Sequence, residues 1–491
     1  MSGPGTVVQP GTAAEPGGDV LRSRLTHARR RTRGALALAV TLAVGACGEV
    51  DEPRQQLPLE PVAASVTSAD LALHRLLADS VRVLAAGRGI THVPQRPAVR
   101  KELSKLGQML LFDKILSGNR NISCMSCHPP RFGTTDRLSL SIGEGATVIG
   151  PNRVHPQNVF IPRNSPALFN VWVLDNLFGD GRVSRDDAGL IHTPAGAQVT
   201  PEMAAVFEFG AISALPMFPV TNREEMRGKP GSNDLANIAD SDFQGTWSAL
   251  MNRLGAIPEY RSLFEAAYPG TPFANMTFAH ASNAIAGFIV NAFTLNLTQW
   301  DIFLAGFDLA LNTEQLNGAL KFMGSICSSC HSGPIFSDDG FQNTGLAQYG
   351  PGQGDGPSGR DDFGRNRVTG APGDLYRFRT PSLRNIEVTA PYGHAGQIVD
   401  LATFNDHYSQ ADLKLLAYSD ADIPDARLKG SLVDNKQAVI DNLAGRVEGL
   451  VFDSVFTREV TAFLRTLTDP RARVLGYTIP IRVPSRLPVD R

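Results

Sequence analysis

Two pentapeptides carry the chemistry of this chain: Cys124-Met125-Ser126-Cys127-His128 and Cys327-Ser328-Ser329-Cys330-His331. The Cys-x-x-Cys-His spacing lets two thiols add to the vinyl groups of a porphyrin while the adjacent imidazole sits over its iron. That is the attachment signature of c-type haem. With 5 cysteines in 491 residues, chance supplies one such motif in roughly one chain in a thousand and a pair almost never. A structural zinc site needs four ligands near one point, and neither motif has a second cysteine pair beside it. A thioredoxin-like redox pair is the remaining alternative, and the arithmetic of two full motifs sets it aside.

The sixth coordination position decides what each haem does. Two strong protein ligands make an electron carrier, whereas an open face can bind peroxide. The last methionine is Met323, upstream of the second motif, so no methionine from the later chain can cap that haem. The downstream candidates are His394, His407, Tyr392 and Tyr408. Residues 380–385 and 389–396 are unusually dense in polar groups; the plain reading is a loop ordered over the haem. Glu225, in the run Arg223-Glu224-Glu225, reads by itself as a surface glutamate.

Helices must present these turns. Segments 100–112 and 313–323 have helical character and lead into the two motifs, and each motif is followed by proline and then phenylalanine (Pro129, Pro130, Phe132; Pro334, Phe336). The parallel reads as a duplicated cytochrome c unit. Segment 67–86 predicts an amphipathic helix with Thr67 or Ser68 as its N-cap. A long helical run over 278–304 joins the two halves, with His280 read as a packed or surface residue and Trp247 and Trp300 as ordinary packing aromatics. The Gly/Asp-rich stretch 350–364 is a loop, a solvated turn rather than a calcium loop. Few segments alternate in strand fashion. The expected fold is therefore mainly α: two cytochrome c-type haem domains in tandem with long ordered loops, over 99–305 and 306–480. A tether and N-terminal helix over 47–98 precede them.

The remaining features bear on location. Arg22, Arg24, Arg29, Arg30, Arg31 and Arg33 precede an apolar run, 35–46, that is too short to span a bilayer. It ends Val44-Gly45-Ala46-Cys47, a lipobox, so 1–46 reads as a lipoprotein signal and Cys47 as the acylated first residue of the processed chain. A plain signal peptide or an uncleaved anchor is the rival reading. The Gly/Pro-rich first 20 or so residues resemble no targeting element, and an over-extended start explains them. Four of the five cysteines belong to the haem motifs, leaving no disulfide framework. A net charge of −2 and the lack of a basic groove argue against nucleic acid as a partner, while 42% hydrophobic residues suffice for ordinary cores.

The two motifs, Arg163-Asn164-Ser165-Pro166, Phe178-Gly179-Asp180-Gly181-Arg182, Glu225-Met226 and residues 389–396 together resemble the bacterial diheme cytochrome c peroxidase and MauG superfamily. The match runs in order over about residues 100–470. The resemblance implies two covalent haem c groups, a peroxide site at the His128 haem, and Glu225 as its acid/base catalyst. It implies calcium held by Asn164, Thr389 and Pro391, and it places the second haem's sixth ligand at Tyr408, with His407 next. Two departures stand out. Glu144 occupies the position of a distal histidine that blocks the first haem in resting relatives, which leaves that haem open unless His155 folds back. Gly179 replaces a tryptophan between the haems, with Phe178 or Trp172 as partial fillers. The expected function is reduction of hydrogen peroxide to water with electrons from a cytochrome c or similar donor, on the periplasmic side of a bacterial membrane. The alternatives are MauG-like oxidation of a protein or organic substrate through a high-valent diheme state, and a non-enzymatic diheme electron carrier. Relatives suggest a homodimer.

Overall fold

The protein is described here by a computed structural model covering residues 67–491. The predicted signal, Cys47 and the tether up to residue 66 lie outside the described residues. The described residues form one compact unit.

Seven helices of ten or more residues organise the described chain: α1 Ser68–Gly87, α2 Lys101–Phe112, α3 Phe243–Gly255, α4 Pro258–Ala267, α5 Phe278–Ala292, α6 Thr313–Gly324 and α7 Ser454–Arg465. Local chemistry starts several of them. Thr67 caps α1 in a reciprocal box with Asp70, and Asn312 caps α6 with Gln315 in the same way, each satisfying donors that the first turn leaves free. The predicted run 278–304 is not continuous. It breaks after Ala292 and resumes as a short helix, Gln299–Leu304. The break has a distant cause: Asn170 receives the Leu295 N–H through its Oδ1 at 2.9 Å and donates its Nδ2 to the Leu295 carbonyl at 3.0 Å. Both backbone groups are thereby taken out of any helical ladder. Strands are few. A three-stranded antiparallel sheet joins Asn176–Leu177, Val183–Arg185 and Ile191–His192, and Phe341–Gln342 pairs with Phe378–Arg379.

The same helix crossing occurs twice. A Cβ at Gly107 of α2 would lie 1.8 Å from the Ala284 carbonyl oxygen and 2.9 Å from the Phe288 Cβ of α5. A Cβ at Gly318 of α6 would lie 1.9 Å from the Glu459 carbonyl oxygen and 3.0 Å from the Phe463 Cβ of α7. Each helix that leads to a Cys-x-x-Cys-His turn thus meets its partner backbone to backbone, over a carbonyl and a phenylalanine four residues later. Only glycine permits that approach.

Two cores result. One gathers α2, α3, α4 and α5 around Phe112, Trp247, Phe264 and Phe288; the other gathers α1, α6 and α7 around Trp300, Phe322, Phe336 and Phe463. The packing crosses the sequence boundaries drawn above. Ala78, Val81 and Ala85 of α1 enter the second core, while Ala472, Leu475 and Val483 from the chain's end return to the first. The end of the chain is tied down there by Asp113, which accepts from Ser485 Oγ at 2.5 Å and Tyr260 Oη at 2.6 Å.

The crossing geometry makes a direct prediction. Gly318→Ala drives a methyl group into a backbone carbonyl and should cost about 2–3 kcal/mol. Gly324→Ala, in the same helix with nothing within 4 Å of its would-be Cβ, should be neutral or gain a few tenths of a kcal/mol. Thermal unfolding of the two variants side by side checks this.

Candidate functional site

Both motif turns are single helical turns, Cys124–Cys127 and Cys327–Cys330, and both histidines leave them in the same way. His128 Nδ1 lies 3.1 Å from the Thr134 carbonyl oxygen, and His331 Nδ1 lies 2.9 Å from that of Phe336. The accepting residues have left-handed backbones, φ 58° at Thr134 and 56° at Phe336, which turn the carbonyl back toward the ring. A carbonyl can only accept, so Nδ1 carries the proton and the Nε2 lone pair is left for a metal. Burial holds both imidazoles below the ordinary histidine range, against the raising effect of those bonds. Each is therefore neutral, as a ligand must be.

The two motifs line one continuous cavity of about 480 Å³. Its walls fit attached haem. All four motif thiols are free, and burial pushes Cys124 up to about 12. Arg379 also lines the cavity, and its buried Nε has no partner among the described residues. An unanswered guanidinium N–H suits a haem carboxylate. Iron itself would sit opposite the free Nε2 of His128 and of His331.

Glu225 faces this cavity from a π-helical turn, Arg223–Arg227, whose first turn is capped by Asn222 accepting from the Glu225 N–H at 2.9 Å. Glu144, at the position where the resemblance puts a distal histidine in relatives, stands in the loop 141–145. Ser141 of that loop does line the cavity, but Glu144 turns away and accepts from Asn119 at 2.6 Å and Asn121 at 2.9 Å. The loop instead braces the glutamate. Glu144 N donates to the Glu224 carbonyl at 2.9 Å, and a Cβ at Gly143 would lie 1.8 Å from that oxygen and 2.9 Å from Glu225 Cα. Glu225 is partly open to the cavity yet walled by protein. Burial raises its carboxyl above the ordinary range, with Arg182 opposing and Glu224 adding. It is close enough to the attachment turn to raise the Cys124 and Cys127 thiols in its turn.

His155, the substitute considered above, does not line the cavity; its Nδ1 accepts from Gln157 N–H at 3.0 Å. The imidazoles that do are His128, His331 and His394. His394 is stacked on Phe378, centroids 4.0 Å apart and 4° from parallel, with both ring nitrogens within 3.3 Å of Gln397 Nε2.

On the second side, Tyr408 lines the cavity while His407 does not, its Nε2 being 2.9 Å from the Thr344 carbonyl oxygen. Tyr392 is also engaged, donating to the Ile386 carbonyl at 3.1 Å. Burial, with the Cys327 and Cys330 sulfurs next, raises the Tyr408 phenol well above its usual value. Asn164, Thr389 and Pro391 also line the cavity. Asn164 Nδ2 donates to the Leu138 carbonyl at 2.7 Å and Thr389 Oγ1 to that of Ile386 at 3.0 Å. Among the described residues no three Asp, Glu, His or Cys side chains cluster to hold a metal.

Sequence reasoning missed two parts of the site. Arg163 bridges the halves, with Nη1 2.7 Å from Asp180 and a two-point contact to Asp362 at 2.7 and 2.8 Å. Burial alone would raise both aspartates, but the guanidiniums outweigh it and hold both below the usual range. The second is Phe378, the nearest side chain to Gly179: a Cβ there would meet its Cδ1 at 3.7 Å and Arg163 Nη1 at 3.8 Å. Trp172 is elsewhere, donating to Thr294 Oγ1 at 2.9 Å. Phe178 does line the cavity, under Arg182 at 3.6 Å.

Comparison with known proteins points to one family. A family model described as di-haem cytochrome c peroxidase matches residues 101–308. Cytochrome c551 peroxidase of Pseudomonas aeruginosa is 30% identical over 314 residues, covering 64% of this chain and 72% of that protein. Methylamine utilization protein MauG of Methylorubrum extorquens is 26% identical over 350 residues, 70% of this chain and 78% of its own. Among solved structures, a MauG-like protein associated with microbial copper homeostasis shares the fold with a TM-score of 0.54 at 23% identity, covering 78% of this chain and 95% of that one. The diheme peroxidase BthA from Burkholderia thailandensis gives 0.52 at 18%, over 77% and 88%.

A buried carboxyl beside the site yields a pH prediction. Asp136 is 0% exposed, has no cationic partner within salt-bridge range among the described residues, and accepts from Ser141 Oγ and the Leu138 N–H. Burial pushes it up to about 6, against the lowering effect of those bonds. A raised folded pKa means the folded state holds the proton more tightly. Stability from this group is therefore complete below the unfolded value near 4 and is lost as pH rises through 6. Asp136→Asn should remove that slope, on the order of 2–3 kcal/mol, in denaturant titrations at pH 4.5 and 7.5.

Proposed function

Because the chain belongs to the di-haem cytochrome c peroxidase family and is an oxidoreductase of peroxidase type, we propose that it reduces hydrogen peroxide to water at the His128 site. Electrons arrive through the His331 site from a cytochrome c or similar donor. Each attached haem c supplies an iron that can change oxidation state. The observation that carries the reading is Glu225, set in the wall of the cavity that His128 lines, on a braced π-turn; among the described residues the other imidazoles of that cavity are His331, held by the Phe336 carbonyl, and His394, held by Gln397. Its carboxylate takes a proton from one peroxide oxygen and returns it to the other, so that water can leave as the O–O bond breaks. A carboxyl raised by burial takes up a proton more readily than an exposed one and keeps its acid form populated nearer neutral pH, which suits it to accept the proton first and hold it for the second transfer. The braced backbone of Glu224 and Glu225 fixes where that proton is delivered.

At the second site we assign the sixth iron ligand to Tyr408, whose phenol points into the cavity near the Cys327 and Cys330 sulfurs and makes no hydrogen bond among the described residues. With His407 and Tyr392 engaged elsewhere, it is the free group of that wall. The same tyrosine favours the second reading, oxidation of a protein or organic substrate in the manner of MauG. For calcium, Asn164 Oδ1, Thr389 and the Pro391 backbone would offer neutral oxygens only, which makes a weak site. We place the protein on the periplasmic side of a bacterial membrane, anchored through Cys47, on the strength of the Val44-Gly45-Ala46-Cys47 lipobox. Among the described residues no helix is long and apolar enough to cross a membrane.

Glu225→Gln should lower peroxide turnover about 100-fold or more while leaving the haem spectra intact; unchanged turnover would take the residue out of the mechanism. The wild-type rate should rise with pH along an arm lying above the usual carboxylate range, and the variant should lack that arm. Tyr408→Phe should change the optical and EPR signals of one oxidised haem and leave the other as it was. If both signals hold, Tyr408 is not a ligand.

A further inference from the structure

Helix α1 shows solvent an apolar face that nothing in the described chain covers. Leu73 is 57% exposed, Leu76 64%, Val83 71% and Leu84 36%. At about 100° per residue these four fall within roughly a 100° arc. The buried residues of the helix, Ala78, Val81 and Ala85, point to the opposite side. Ala69, Ser80 and Gly87 share the outer arc and are exposed. The one hydroxyl on it, Ser80 Oγ, donates back to the Leu76 carbonyl at 2.9 Å and so makes no demand on water. The charged residues lie off the arc. Asp70 is taken into the N-terminal cap, and Arg82 turns inward to Asp308 at 2.6 Å. That pairing also fixes the loop on which Phe307 and Leu309 stand 65% and 74% exposed.

What covers this face follows from where the helix sits in the chain. It is the first described element after Cys47, and the 20 residues between Cys47 and Ser68 reach at most about 70 Å. A terminus held by acyl chains therefore keeps α1 within that distance of the bilayer and raises its local concentration at the surface. The area argues against a second copy of the chain. Four aliphatic side chains offer on the order of 100 Å² each, well short of the ~800 Å² per partner that a stable protein interface buries. A fluid lipid surface requires no matching shape.

We propose that the outer face of α1 is a membrane-docking surface, seated in the lipid–water interface next to the Cys47 anchor. The choice of lipid as the occupant rests on the anchor reading given above. Docking of this kind would hold the molecule in one orientation on the membrane.

The test uses haem-loaded protein beginning at Ser65, just ahead of the compact unit, so that no acyl chain is present. Flotation with phosphatidylethanolamine/phosphatidylglycerol vesicles should carry a measurable fraction of this protein. The triple variant Leu73→Gln, Leu76→Gln, Val83→Gln should float at least tenfold less, with its haem spectrum and melting temperature unchanged. Equal flotation of the two proteins, or none by either, overturns the proposal. So does light scattering that finds a dimer which the triple variant splits. Mass spectrometry of Cys47 in the full chain reads the anchor separately: an unmodified Cys47 with flotation intact would remove the anchor and leave the docking face standing.

Discussion

Each motif histidine has to lie buried and neutral with one ring nitrogen left unanswered by protein, and most of the surrounding architecture holds that state. A buried nitrogen without a partner is costly, so the chain does not leave the ring to choose its own contacts. The left-handed residues Thr134 and Phe336 aim a carbonyl at Nδ1, and that bond fixes both the tautomer and the ring plane. The helix leading into each turn then approaches its partner through glycine, Gly107 of α2 against α5 and Gly318 of α6 against α7. Backbone contact on one side of the turn places the cavity on the other. That the two halves solve this with the same crossing favours a duplicated unit over two independent inventions.

Between the halves the binding element is charge. Arg163 draws Asp180 from the hairpin of the first half and Asp362 from the second into one buried cluster, and Arg379 N donates to the Gly179 carbonyl at 2.8 Å beside it. Ion pairs of this depth gain little net stability once the loss of water is counted, but removing one member strands a buried charge. Their value here is positional. The cluster keeps the wall that carries Glu225, Arg182 and Gly179 in register with the wall that carries Phe378 and His394.

What could be read from the sequence was local. The attachment motifs are fixed by spacing, the starts of α1 and α6 by capping residues at Thr67 and Asn312, and the exclusion of methionine at the second haem by position along the chain. What could not be read came from partners far away. The helix over 278–304 looked continuous because nothing nearby breaks it; Asn170 does, from more than a hundred residues upstream. Glu225 looked like a surface residue because its burial comes from Gly143 and the Glu144 N–H, supplied by a loop some eighty residues earlier. The resemblance says only that Glu144 stands where relatives carry a blocking histidine; that the loop braces Glu224 and Glu225 is visible only in the fold.

Gly179 bears on which chemistry the cavity can support. A glycine here is not demanded by the backbone: its φ is not left-handed, and a Cβ would meet only ordinary contacts at 3.7 Å and beyond. The aromatic nearest to that position is Phe378, from a strand in the other half. A phenyl ring gives up an electron far less readily than an indole or a phenol. The Arg163 guanidinium, 5.5 Å from the ring centroid, is ion-paired with Asp180 and Asp362, so the local charge does not change that ranking. His394, stacked on the other face and pushed down to about 4 by burial despite Asp362 nearby, is neutral. Charge moving between the two sites would therefore have to tunnel past Phe378 rather than rest on it. That suits a short relay from a donor at one site to peroxide at the other. It disfavours long-range oxidation of a bound substrate, which needs a residue where the hole can pause.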